Sequence, residues 1–130
     1  MQRRLDSAAS HYRDTEKAAT MFAQKFEAEQ LVRRAQPGNC RGGSLQERED
    51  LLREAIQLDP QNASAHFYLF TLLYGKNWSE AERECRAAIR IDSGEVCYHN
   101  GLALLLDRLG RHKEAAAQRA IAASLRTQTP

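Results

Sequence analysis

The cysteines and histidines are the residues of this sequence whose types could bind a metal ion. Thiolate sulfur and imidazole nitrogen are the usual zinc ligands, and they occur at characteristic short spacings in zinc sites. Cys97 and His99 are two positions apart, so on a helix they point to different faces. Cys40 lies in a glycine-rich stretch, Cys85 lies in another predicted helix, and the chain contains neither a CxxC nor an HExxH pair. We therefore predict structural cysteines and no metal site.

Two histidines, His66 and His99, could transfer protons or sense pH. They are 33 positions apart and, as shown below, occupy the same place in a repeat, which favours a packing role in which a ring nitrogen reaches solvent or backbone. No serine or cysteine lies at a convincing spacing for a nucleophile and its base. The only glycine-rich segment, RGGS, lacks the lysine of a phosphate-binding loop. The sequence thus predicts a protein that is not an enzyme and needs no cofactor.

The charge pattern gives little reason to expect a nucleic acid or a lipid surface as partner. The chain has 19 basic and 17 acidic residues, and the two signs are interspersed. The C-terminal segment is locally basic, with Arg108, Arg111, Lys113, Arg119 and Arg126. It could contact nucleic acid or an acidic protein. A solvated helical face is the favoured interpretation, because aromatic residues for base stacking are missing.

The N-terminus lacks the apolar core of a signal peptide, and no run has the length of a membrane span. Three cysteines make no disulfide framework, so we expect a reducing, cytoplasmic location without membrane contact. The chain length fits one domain.

Apolar residues at helical spacing divide the chain into helices and loops. An apolar stripe starting at Leu5 and continuing to Ala35 predicts one long helix or two abutting ones, and QPGNCRGGS then forms a loop over 36–44. Helix starts are predicted from Ser44 with Glu47, from Asn62, from Ser79 with Glu82, and from Asp92 with Glu95. The predicted ends are Leu58, Gly75, Ile91 and Gly110, and a last helix spans about 112–125.

An internal repeat organises these helices. AIQLD at 55–59 returns as AIRID at 88–92, and Ala55, Ala88 and Ala122 align at steps of 33 and 34. The aligned pairs include His66 with His99, Leu69 with Leu102, and Leu73 with Leu106. We expect one helical-repeat domain over 1–130, with an N-terminal helix at 1–35, a degenerate first unit at 45–61, and repeats at 62–95 and 96–129.

The repeat resembles the tetratricopeptide repeat family. Leu102-Ala103 and Leu106 match the first helix of that motif, and Ala115 and Ala122 match the second. The preceding unit matches through Leu69, Leu73, Ala81 and Ala88, and Pro60 closes the unit before it. Phe70 replaces a small residue and Ser93 replaces the closing proline. The resemblance implies an all-α, right-handed stack of antiparallel helix hairpins that binds other proteins.

In that family the first helices of successive units line a concave groove. The residues that the resemblance places there are Ser64, Phe67, Tyr68, Thr71, Tyr74, Cys97, Asn100, Gly101, Leu104, Asp107 and Arg108. Some members hold a carboxylate-ended tail with a clamp of lysine, arginine and asparagine. Tyr68, Cys97 and Gly101 stand at those positions here and cannot clamp a carboxylate.

We therefore expect a non-enzymatic interaction module whose groove binds an apolar or amphipathic segment, either a partner's or the chain's own N-terminal helix. Two alternatives remain open: a chaperone or assembly factor that shields an apolar segment, and a nucleic-acid-associated adaptor that uses the basic C-terminal face. Self-association also stays open.

Overall fold

A computed structural model describes residues 2–38 and 43–128 of the chain. Within these ranges the backbone forms six helices, whose bounds are α1 Gln2–Ala35, α2 Leu45–Leu58, α3 Ala63–Leu73, α4 Trp78–Ile91, α5 Val96–Arg108 and α6 His112–Gln128. The predicted all-α fold class is confirmed, and each predicted helix is present. Cys40 lies outside the described residues.

The helices pack as three successive hairpins. The end of α1 packs on α2, α3 packs on α4, and α5 packs on α6, while α2–α3 and α4–α5 contacts join one hairpin to the next. Gly75 and Gly110 lie in the tight turns after α3 and α5, with φ of 84° and 79°. Glycine adopts this left-handed conformation without a steric penalty, which is why both first helices end there.

The aligned repeat positions form the core. Ala55, Ala88 and Ala122 are at most 2% exposed, and Leu69 and Leu102 are each 1% exposed. Small alanines allow the paired helices to approach, and the leucines fill the space between hairpins. The packing predicted from the repeat is therefore confirmed.

Two of the predicted helix starts are confirmed. The Ser44 hydroxyl accepts a hydrogen bond from the Glu47 backbone N–H at 3.1 Å, and the Asn62 side chain accepts one from the Ala65 N–H at 3.1 Å. These bonds satisfy amide groups that have no partner within the helix.

The other two predicted starts are wrong. Helix α4 begins at Trp78, and its cap is Asn77, whose side chain accepts from the Glu80 N–H at 3.1 Å. Ser79 therefore already lies in the first helical turn. The turn after α3 is short, and asparagine is as good a cap as serine.

Asp92 does not cap α5. It ends α4, and its carboxylate accepts from the Gly94 N–H at 3.3 Å. Helix α5 starts after Glu95, which makes no side-chain capping bond. The aspartate is used to close the turn between hairpins, so it is unavailable to the next helix.

Helix α1 is long, as predicted, but its apolar residues do not form one continuous stripe. Residues 2–27 are exposed throughout, and the buried residues of α1 are Ala28, Leu31, Val32 and Ala35. Arg48 of α2 fixes this end of α1 by donating to the Ala35 carbonyl at 2.9 Å. The first 26 described residues therefore do not fill the groove of their own chain.

Candidate protein-binding groove

A cleft of about 240 Å³ opens between the N-terminal ends of α3 and α5. Its lining residues are Ser64, Phe67, Tyr68, Glu95, Cys97 and Tyr98. Four of these, Ser64, Phe67, Tyr68 and Cys97, were assigned to the groove from the sequence. Glu95 and Tyr98 were not; from the sequence, Glu95 was assigned to a helix start.

Aromatic rings form the wall of this cleft. The Phe67 ring lies 4.8 Å from the Tyr98 ring and 5.6 Å from the Phe70 ring, measured between centroids. Gly101 lets α5 approach them, because a Cβ there would be 3.0 Å from Phe67 and 3.1 Å from Phe70. Tyr98 is buried, and this burial raises the pKa of its hydroxyl, against a hydrogen bond with Ser64 that lowers it. The wall is thus closely packed and mainly apolar.

Four further predicted groove residues lie on α3 and α5 but do not line the cleft: Thr71, Asn100, Leu104 and Arg108. The Thr71 hydroxyl donates to the Tyr68 carbonyl at 2.6 Å, so its hydrogen bond is made within α3. Leu104 is 54% exposed.

Tyr74 takes part in packing at the end of α3. Its ring meets Phe70 edge-on at 6.0 Å and Trp78 edge-on at 5.1 Å. Trp78, the first residue of α4, thereby packs beside the turn between α3 and α4. The Tyr74 hydroxyl is buried, and among the described residues no group hydrogen-bonds to it.

Asp107 is held by the last hairpin. Arg119 of α6 and His112 both contact its carboxylate, at 2.5 and 2.9 Å, and Arg119 is the main cause of its lowered pKa. Arg111 is also paired, with Glu82 at 2.7 Å and with Glu114 at 2.7 Å. Two of the five basic residues of the C-terminal segment are therefore already neutralised by carboxylates.

The two repeat-related histidines are both buried and make equivalent bonds. The His66 ring lies 2.9 Å from the Pro60 carbonyl oxygen through Nε2 and 2.6 Å from Glu84 through Nδ1. The His99 ring lies 2.8 Å from the Ser93 carbonyl oxygen and 2.8 Å from Gln118. In each case the ring joins the turn before a first helix to the second helix of the same hairpin. These contacts are structural, and in each a ring nitrogen reaches backbone, which is one of the two outcomes, solvent or backbone, that the sequence analysis left open.

Among the comparisons with known proteins, the comparison with solved structures found matches, and these support the helical architecture. No family model and no curated protein matches the chain. A crystal structure of MamA matches with a TM-score of 0.61 at 22% identity, covering 65% of this chain and 50% of that one. MamA from Desulfovibrio magneticus RS-1 matches with 0.63 at 20% identity, covering 85% and 59%. A mutant O-GlcNAc transferase from Thermobaculum terrenum matches with 0.60 at 26% identity, covering 86% of this chain and 20% of the enzyme.

The fold is a tetratricopeptide-like helical solenoid. The chain spans about half the length of the MamA chains that it matches. In such a stack the first helices of successive hairpins are neighbours, and the cleft lies between two of them, α3 and α5.

The cysteines and the possible metal ligands of this tetratricopeptide-like stack were predicted to be structural. Among residues 2–38 and 43–128, no three histidine, cysteine, aspartate or glutamate side chains are grouped so that they could hold a metal ion. Cys85 is buried, donates to the Tyr98 carbonyl oxygen at 3.4 Å, and has its pKa raised to about 12 by burial. Cys97 is exposed beside the cleft. None of the described helices combines the length and the apolar content that a membrane crossing requires.

Proposed function

We propose that this protein is a non-enzymatic interaction module whose groove along α3 and α5 binds an apolar or amphipathic helical segment of a partner protein. The observation that carries the proposal is the cleft between these helices, whose wall is built from the Phe67, Tyr68 and Tyr98 rings. Aromatic residues at the edge of a preformed apolar cleft are the type that dominates interface energetics.

The electrostatics of the groove favour a particular kind of segment. Among the described residues, Glu95 is the charged residue of the cleft lining, and no basic side chain lines the cleft. A C-terminal carboxylate would therefore meet a negative charge without a compensating cation. An amphipathic helix with a lysine or arginine near the apolar face fits this lining better.

The exposed Leu104 extends the apolar surface beyond the cleft. It lies two helical turns after Cys97 on α5 and is 54% exposed, so a bound helix that starts in the cleft could continue along it. Thr71 is exposed on the neighbouring α3. The proposed groove thus runs from the cleft at Tyr68 towards Leu104.

The test is binding of synthetic amphipathic peptides of mixed charge, followed by fluorescence anisotropy. Tyr68→Ala should leave the helical circular dichroism intact and weaken binding of the selected peptide by at least about 1 kcal/mol. The matched control is Arg83→Ala on α4, an exposed residue outside the cleft. A Tyr68→Ala protein that folds and binds the peptide at full affinity would refute the groove.

An assembly factor that shields an apolar segment would use the same groove, so it is a narrower form of this proposal. A nucleic-acid adaptor would instead use the C-terminal segment, where Arg111 and Arg119 are already paired. Salt separates the two classes, because phosphate contacts weaken steeply as salt rises and apolar packing does not.

A further inference from the structure

The exposed part of α1 carries a regular stripe of residues, apolar except for Thr15, that the groove does not explain. Its members alternate steps of three and four residues and are exposed: Leu5, Ala8, Tyr12, Thr15, Ala19, Phe22 and Phe26. The larger of them are 60% to 73% exposed. A 3–4 alternation over three heptads is the spacing at which one helix packs along another.

The stripe faces away from the rest of the chain. Because each residue turns the helix by about 100°, the seven stripe positions centre roughly 180° from Ala28, Leu31, Val32 and Ala35. Those four residues are the ones that α1 buries in the core of the stack. A straight α1 therefore cannot cover the stripe with its own hairpins, and a partner must approach from the opposite side.

We propose that the partner is a second copy of this chain, and that two α1 helices pair in parallel through the stripe as a short coiled coil. Leu5, Tyr12, Ala19 and Phe26 are seven residues apart and occupy one of the two contact positions of the heptad, and Ala8, Thr15 and Phe22 occupy the other. The residues that flank these contact positions include His11 and Glu16. In a parallel pair, His11 of one copy faces Glu16 of the other.

The charges favour this orientation over the reverse. An antiparallel pair that brings Glu16 of one copy close to Glu16 of the other also places Arg4 near Lys25. Like charges at such short range destabilise a helix pair, whereas the parallel arrangement replaces both contacts with one between an imidazole and a carboxylate.

The geometry of the stack permits the parallel pair. Each stack lies on the face of α1 opposite the stripe, so the two stacks would flank the coiled coil on its outer sides without overlapping it. The stripe offers roughly 500 Å² per chain from its aromatic and leucine side chains, or about 1,000 Å² for the pair. This lies at the lower limit for specific association, so the dimer should be weak and concentration-dependent.

The test is sedimentation equilibrium of the full chain over a range of concentrations. The wild type should show a monomer–dimer equilibrium, and Phe22→Ala with Phe26→Ala should raise the dissociation constant at least about tenfold. The matched control is Met21→Ala. Met21 is adjacent in sequence and 50% exposed, but it lies roughly 150° around the helix from the stripe. Circular dichroism should show that all variants keep their helices, because the replaced side chains are exposed.

Cysteine cross-linking tests the orientation. In a background with Cys40→Ser and Cys97→Ser, Ala8→Cys should form an intermolecular disulfide readily, because in a parallel pair each position meets itself. Ser10 is two residues after Ala8 and lies on the face of α1 opposite the stripe. Ser10→Cys should therefore form the intermolecular disulfide much more slowly.

Three results would overturn the proposal. One is a wild type that stays monomeric up to its highest soluble concentration. Another is equal loss of the dimer with Met21→Ala and with the phenylalanine variants. The third is loss of the dimer with Tyr68→Ala, which would place α1 in the groove of the second copy.

Discussion

The contact between His66 and Glu84 leads to a specific prediction about how the free energy of unfolding depends on pH. Both ring nitrogens of His66 face acceptors, the Glu84 carboxylate at 2.6 Å and the Pro60 carbonyl oxygen at 2.9 Å. A neutral imidazole can donate only one of these bonds, whereas the imidazolium donates both. The Glu84 bond is accordingly the main cause of the raised pKa of His66, while burial and the Arg90 charge act in the opposite direction.

The sign of the effect follows from the raised pKa. The folded state binds the proton more tightly than the unfolded chain, whose histidine titrates near 6.5. The stabilisation is therefore fully present below about pH 6.5, and it is lost as the pH rises through the folded pKa.

The perturbation is Glu84→Gln, which replaces a charge-assisted hydrogen bond by a neutral one. The side chains of His66 and Glu84 are only 11% and 19% exposed, so solvent screens the pair weakly. We expect the variant to be less stable than the wild type by about 1–1.5 kcal/mol near pH 5.5, and by about 0.5 kcal/mol or less at pH 9. The measurement is urea unfolding across this pH range.

Two further variants act as controls. Glu54→Gln makes the same chemical change at an exposed site on α2 and should alter stability by less than about 0.5 kcal/mol at any pH. The repeat supplies the reverse experiment, because His99 meets Gln118 where His66 meets Glu84. Gln118→Glu should therefore introduce the pH dependence that Glu84→Gln removes. Parallel pH profiles of the wild type and Glu84→Gln would refute the assignment of a charged His66.

Two other predictions test the packing and the corrected helix start. Leu69→Ala and Leu102→Ala, at equivalent repeat positions that are each 1% exposed, should each lower the free energy of unfolding by about 2–5 kcal/mol in urea melts; melts that match the wild type would contradict the repeat register. Asn77→Ala should cost about 1 kcal/mol through the lost cap of α4, whereas Ser79→Ala should change stability by less than about 0.5 kcal/mol, and the opposite order would restore Ser79 as the cap.

The internal repeat allowed most of the fold to be predicted from the sequence. Ala55, Ala88 and Ala122 recur because each second helix must pack closely against its partner, and this requirement leaves a period in the sequence. Helix starts were less predictable where several capping residues stand close together, as at Asn77 and Ser79. The choice between them depends on the length of the preceding turn, which only the assembled hairpin determines.

The stripe on α1 shows a second limit of predicting burial from the periodicity of apolar residues. Leu5 and Leu31 both fit a helical spacing, so a single stripe was predicted, yet one is 64% exposed and the other 6%. Spacing identifies apolar residues on a helix, but it does not state which face meets the core when the helix projects beyond the body. Similarly, Glu95 belongs to no sequence motif that could have identified it as a residue of the cleft lining.

Ion pairs between hairpins follow the repeat as well, although the sequence did not reveal them. Glu49 on α2 accepts from Arg53 and Lys76, each at 2.9 Å, and Arg53 also bonds Glu80 on α4 at 2.6 Å. These contacts lower the pKa of Glu49, mainly through Lys76, and join the second helices of the first two hairpins.

The same network recurs one unit later. Glu82 on α4 accepts from Arg86 at 2.9 Å and from Arg111 at 2.7 Å, and Arg86 approaches Glu114 on α6 at 3.5 Å. Glu49 and Glu82 are 33 positions apart, as are Arg53 and Arg86. Charged pairs at equal spacing thus hold successive second helices in the same relative position.

The two full repeats differ where the groove is proposed. Several packing positions are the same in both units, namely Leu69 and Leu102, Leu73 and Leu106, and the buried His66 and His99, although buried Phe70 aligns with Ala103. The groove positions have changed completely, with Phe67 against Asn100, Tyr68 against Gly101, Thr71 against Leu104, and Tyr74 against Asp107. Gly101 shows why one of these differences matters, since any Cβ there would press on the rings that line the cleft. A stack that needed only stability could have used one residue at each equivalent position. If the proposed groove binds a single, oriented ligand, we expect such an asymmetry along α3 and α5, because the ligand presents different groups to successive units.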